Sequence, residues 1–185
     1  AGLYAKGSTC VTEPAPTRDH TERMLRAFGY DVTVSSSTTC VTGGGPLTGT
    51  DIAVPGDLSS ATFFLVGASI AEGSDLIIEN VGINPTRTGA LEILKLMGAE
   101  ISLINQRVLG TEPVADIRVR HRELRGVHIP PELVAMAIDE LPVLFVTAAC
   151  ANGRTTVSGA EELRVKESDR IDAMADGLGA LGLEA

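Results

Sequence analysis

One pattern of residues occurs three times along this 185-residue chain, and a chain made of copies of one unit must pair those copies to bury their apolar faces. The copies run from Ala1 to Val32, from Ala68 to Ile101 and from Ala148 to Ala185. Each holds the end of an apolar helix, a glycine, a strand, a loop, a second helix and a second glycine. Gly7, Gly73 and Gly153 take the first position and Gly29, Gly98 and Gly182 the second. A glycine just past the last apolar position of a helix is what a left-handed C-cap requires, and the alternating residues that follow read as half-buried strands. Thr9 to Thr12, Asp75 to Glu79 and Thr155 to Ser158 fill that place. In the middle copy Glu100 to Ile104 and Ala115 to Arg120 predict two more strands, so the unit is β-α-β-β-α in whichever frame it is started. Unequal glycine spacing argues for loops inserted between units rather than a solenoid. The first copy enters partway through its apolar helix and the third stops where its closing strands are due, so the sequence reads as a piece cut at both ends.

With 44% hydrophobic residues the chain can bury one or two cores. The absence of Trp, an aromatic content of 3% and a net charge of −9 argue against a nucleic-acid partner, which would need stacking platforms and a basic face. The run from Leu141 to Ala151 is too short to span a membrane and predicts a buried core helix. Cys10, Cys40 and Cys150 are an odd number without close spacing, which predicts free buried thiols in a reducing compartment and no structural zinc. His20, His121 and His128 have no companion at metal-ligand spacing and are expected in ordinary structural or surface roles.

The chemistry concentrates in Leu163-Arg-Val-Lys-Glu-Ser-Asp-Arg170. Apolar spacing at Ile171, Met174 and Leu178 predicts a helix starting near Glu167, which would set Lys166, Glu167 and Arg170 near one face of its opening turn. A helix start with two cations suits a phosphorylated acid; a solvated turn with an ordinary Glu–Arg pair is the plainer alternative. Pro16-Thr17-Arg18 and Pro85-Thr86-Arg87 occupy matching places in the first two copies, where Thr17, Thr86 and, in the third copy, Ser168 are expected to cap helices. Asp139 precedes the apolar run, as an acidic N-cap would, and Asp57 with Ser59 and Ser60 also reads as a cap, with a hinge role second.

These residues resemble the enolpyruvyl transferases, on the branch that acts on shikimate 3-phosphate. The resemblance rests on the segment Leu163–Arg170, on Ile138-Asp-Glu-Leu-Pro142, on Val54-Pro-Gly-Asp-Leu-Ser-Ser60, on Asn80-Val-Gly-Ile-Asn-Pro-Thr-Arg-Thr-Gly89 and on Thr17-Arg-Asp-His-Thr-Glu22, in the family's order. It implies an α/β fold of repeated β-α-β-α-β-β units in two domains, an inside-out α/β barrel with substrates in the cleft. Residues 1–54 would close the N-terminal domain and 55–185 would form most of the C-terminal one. The implied reaction carries the enolpyruvyl group of phosphoenolpyruvate to the 5-hydroxyl of shikimate 3-phosphate and releases phosphate, within the shikimate pathway. By the same resemblance Asp139 is the base and Glu167 the proton-transferring acid. Lys166 and Arg18 would bind shikimate 3-phosphate, and Arg170 phosphoenolpyruvate. Arg87 is expected to be structural. No metal or other cofactor is implied, the partners are these two small molecules, with no nucleic acid or membrane, and the full-length protein is expected to be a cytoplasmic monomer. The alternatives are the sister activity on UDP-N-acetylglucosamine and a non-catalytic fragment of the same fold, and the fragment alone is expected to be inactive.

Overall fold

The computed structural model describes residues 1–14 and 17–183. Pro16 of the first Pro-Thr-Arg segment and the Glu184-Ala185 end of the third copy lie outside the described residues.

The repeat organises what folds. In the first copy β1 (Ser8–Thr12) precedes α1 (His20–Ala27), followed by β2 (Val32–Ser35) and β3 (Thr38–Thr42). After α2 (Leu58–Ile70) the middle copy repeats that order with β4 (Asp75–Gly82), α3 (Gly89–Leu96), β5 (Glu100–Leu109) and β6 (Glu112–Arg120). Both sheets are antiparallel with the third strand in the centre, in the orders β1-β3-β2 and β4-β6-β5. The third copy follows β7 (His128–Ile129), α4 (Pro131–Met136) and α5 (Leu141–Ala149) with a two-residue strand β8 (Thr156–Val157), parallel to β7, and then α6 (Arg170–Ala180). All six repeat glycines have positive φ, between 75° and 97°, as the C-cap reading requires.

The core lies between one face of the β4-β6-β5 sheet and the apolar helices. Leu65 and Val66 of α2, Leu91, Ile93 and Leu94 of α3, Leu141 and Leu144 of α5, and Ile117 and Val119 of β6 pack into one buried cluster. The run from Leu141 therefore forms a core helix, ending at Ala149. Two polar devices in this sheet were not visible in the sequence. Register shifts between Ile78 and Val81 and between Ile104 and Arg107 leave Asn80 and Asn105 at positive φ, a conformation Asn tolerates better than most residues. Asp116 on the central strand accepts hydrogen bonds from the Asn80 backbone N–H at 2.8 Å and from Asn105 Nδ2 at 2.8 Å, holding both irregular strands.

The β5–β6 hairpin tip lies over α1, none of whose described residues is buried. Polar groups make the contact: Glu112 Oε1 is 2.8 Å from His20 Nδ1, Arg23 donates to the Thr111 carbonyl at 3.0 Å, and the Asn84 amide donates to Asp19 Oδ1 at 2.7 Å and Glu112 Oε2 at 3.0 Å. A cavity of about 320 Å³ lined by Met24, Val54, Pro55 and Leu109 lies beside them.

The cysteine expectation is corrected. Cys10 and Cys40 face each other in the β1–β3 register, and their sulfurs are bonded; Cys150 is a free thiol and exposed. Thirty residues apart, the two cysteines meet because the strands pair antiparallel, which residue spacing does not reveal.

Candidate active site

Asp139 stands in the turn between α4 and α5, and the capping reading fails for it: the α5 N-cap is Glu140, without a side-chain cap bond. The Asp139 carboxylate instead meets two arginines from distant parts of the chain. Arg18 Nη2 is 2.8 Å from Oδ2, and Arg170 Nη1 is 3.7 Å from Oδ1. Arg170 belongs to the first turn of α6 and Arg18 to the segment that enters α1, so three elements converge on one carboxylate.

Glu167 completes the group. Arg170 grips it with two parallel hydrogen bonds, Nε to Oε1 at 3.0 Å and Nη2 to Oε2 at 2.9 Å. The hydrogen bonds from Arg170, with the charges of Arg170 and Lys166 adding to them, hold the Glu167 carboxyl below its usual range.

The helix start differs from expectation. α6 begins at Arg170, because Asp169 is the better cap: its Oδ1 accepts from the backbone N–H groups of Ile171 at 3.1 Å and Asp172 at 3.0 Å. Lys166 and Glu167 therefore precede the helix instead of sharing its face, and the first N–H groups of α6 are taken by Asp169. A 3-10 turn from Glu161 to Val165 leads into them, and Lys166 Nζ pairs with Glu162 at 2.7 Å. The structure thus brings together Arg18, Asp139, Glu167 and Arg170, while the ion pair of Lys166 is made with Glu162.

Thr17, Thr86 and Ser168 are likewise not caps. Asp19, Asn84 and Asp169 hold the N-cap positions, and the Thr17 hydroxyl bonds Glu13 while that of Thr86 donates to Asn84 Oδ1 at 2.7 Å. Asp57 does cap α2, accepting from the Ser60 N–H at 3.0 Å, and Arg87 Nη2 lies 3.1 Å from its Oδ1. Glu140 was missed by sequence reasoning altogether: it is 5% exposed, and Ser59 donates its hydroxyl proton to it. The one signal for it is a second acid beside Asp139 at the head of an apolar run. Among the described residues no group of three or more His, Cys, Asp or Glu side chains could hold a metal ion. His20 bonds Glu112, His128 lies 2.9 Å from the Thr156 hydroxyl, and no described helix is long and apolar enough to cross a membrane.

Repeated units with one sheet order, and a cluster of cations and carboxylates where their loops meet, define an α/β protein with the enolpyruvyl transferase fold. The likeness extends to the enolpyruvyl transferase NikO from Streptomyces tendae, with a TM-score of 0.67 at 20% identity over 84% of this chain and 36% of that one. A family model, EPSP synthase (3-phosphoshikimate 1-carboxyvinyltransferase), matches residues 1–185, and the chain belongs to that family. An EPSP synthase structure from Acinetobacter baumannii superposes with a TM-score of 0.91 at 61% identity, covering 96% of this chain and 40% of that one. The 3-phosphoshikimate 1-carboxyvinyltransferase of Alkalilimnicola ehrlichii is 66% identical over 185 residues, all of this chain and 42% of that protein, and that of Methylococcus capsulatus is 62% identical over the same length. The chain thus spans about 42% of the length of these relatives.

Proposed function

We propose that the full-length protein containing this chain transfers the enolpyruvyl group of phosphoenolpyruvate to the 5-hydroxyl of shikimate 3-phosphate. The observation that carries this reading is the Asp139 carboxylate held between Arg18 and Arg170, with Glu167 paired to Arg170 beside it. Asp139 takes the proton of the 5-hydroxyl as its oxygen bonds to C2 of phosphoenolpyruvate, and Glu167 delivers a proton to the methylene carbon, giving a tetrahedral intermediate. Loss of a proton from the new methyl group then expels phosphate and restores the double bond. Arg18 and Lys166 serve the phosphate of shikimate 3-phosphate, and Arg170 serves phosphoenolpyruvate.

The Glu167–Arg170 pair suggests an order of events. With Arg170 on it, the ionised form of Glu167 is favoured. An incoming phosphoenolpyruvate anion competes for Arg170 and so relieves the lowering of the Glu167 carboxyl. Two anionic substrates and three proton transfers call for no metal or redox cofactor.

On this reading residues 1–54 complete one domain and 55–185 supply most of the second, the protein works as a cytoplasmic monomer on small anions, and the isolated 185 residues have no turnover. The family match favours this over the sister activity on UDP-N-acetylglucosamine. Phosphate release by the full-length protein from both substrates tests it: release only with UDP-N-acetylglucosamine as acceptor, or none at all, would sink the assignment.

A further inference from the structure

We infer that Glu140, Ser59 and Arg87 are positioning residues that tie the turn bearing Asp139 to the segment joining the two parts of the chain; this rests on Asp139 acting as the base. Glu140 and Asp116 are the acids buried among the described residues, and Glu140, at 5% exposure, sits at the head of the most apolar helix. A buried carboxylate is costly unless paired, and an apolar side chain would serve packing alone as well or better. The Glu140 partner is the Ser59 hydroxyl, and the Ser59 oxygen accepts in turn from Arg87 Nη2 at 2.5 Å. A hydroxyl has one proton, so the guanidinium on its oxygen directs that proton to Glu140. Arg87 also pairs with Asp57, the α2 cap that directly follows Pro55-Gly56. The relay Asp57–Arg87–Ser59–Glu140 therefore joins three elements: the start of α2, the 3-10 turn Pro85–Arg87 and the α4–α5 turn.

Asp139 has no such fixture of its own. Its described partners are the half-exposed Arg18 and the less exposed Arg170, both of which also serve substrate anions in the proposed reaction, so its place when they turn to substrate depends on its neighbour Glu140. Buried polar relays of this kind specify one arrangement where apolar packing permits several.

The test uses the full-length protein. Ser59→Ala is expected to lower kcat about tenfold with KM for phosphoenolpyruvate changed less than about twofold, because the base is displaced while substrate anchors remain. Ser59→Thr, which keeps the hydroxyl, restores kcat. In an Asp139→Asn background Ser59→Ala is expected to change kcat by less than about twofold, since no base is left to place. Equal losses in both backgrounds, or a lower thermal midpoint with unchanged kcat, would overturn the inference while leaving the assigned reaction intact. Should Ser59→Ala not fold, Arg87→Lys replaces it, with the same non-additivity expected and the same additive result counting against it. Wild-type turnover in Asp139→Asn alone would overturn both this inference and the role of Asp139.

Discussion

Arg18 and Asp139, 121 residues apart in sequence, join side chain to side chain at 2.8 Å, tying the segment that enters α1 to the turn between α4 and α5. Both side chains are about half exposed, so the pair itself adds little to stability. Asp139→Asn in the full-length protein should therefore leave the thermal midpoint within about a degree or two while lowering kcat by about 10²–10⁴. Arg18→Gln should act on KM for shikimate 3-phosphate instead. A fall in midpoint with unchanged kcat in Asp139→Asn would return that residue to a structural role.

Glu167 offers a titration. Its carboxyl lies below the ordinary range first because Arg170 hydrogen-bonds to it, so Arg170→Gln should raise its midpoint toward that of a free glutamate. Carbon-13 NMR of the side-chain carboxyl follows this directly. An unchanged midpoint would mean that the pair is not formed in solution.

On the outer face of the middle sheet Asp75 is held to about 2 by hydrogen bonds from Arg118 and Arg120. The sign follows from a folded value below the unfolded one: the stabilisation is complete above about pH 4 and is lost as pH falls toward about 2. Acid unfolding of wild type and Asp75→Asn should converge across that window and differ above it. Parallel curves throughout would remove Asp75 from the account of acid stability.

The Cys10–Cys40 bond closes a 30-residue separation, for which a chain-entropy estimate gives about 3.5 kcal/mol of stabilisation in the oxidised protein. Denaturant unfolding with and without reductant measures it. Rapid alkylation followed by mass spectrometry of freshly lysed cells shows whether the pair is also bonded in the cell; recovery as thiols would mean that the compartment is reducing.

Local order was legible in the sequence and long-range chemistry only in part. Glycines such as Gly73 and Gly98 announce helix ends because φ is set by the residue itself, and alternation marks β1, β4 and β6 for the same local reason. The irregularities at Asn80 and Asn105 escaped, since they depend on Asp116 in another strand. The start of α6 was misplaced by three residues because apolar spacing fixes a helix face but not its first turn, which Asp169 decides. From its own residues Asp139 read first as a cap, the base role coming only from the family resemblance; that it meets Arg18 and Arg170 instead of capping α5 is a product of folding. Glu140 could not be found at all, because burial is a property of the packed chain.

The contact of α1 with the hairpin tip and Asn84 has a mechanical consequence. A surface held by hydrogen bonds and ion pairs exchanges them for water at small net cost, whereas an apolar core resists opening. The first copy is thus latched to the rest of the chain rather than welded to it. Loosening that contact would leave the cluster around Leu65, Leu94 and Leu144 undisturbed, because none of the residues that make it belongs to that cluster.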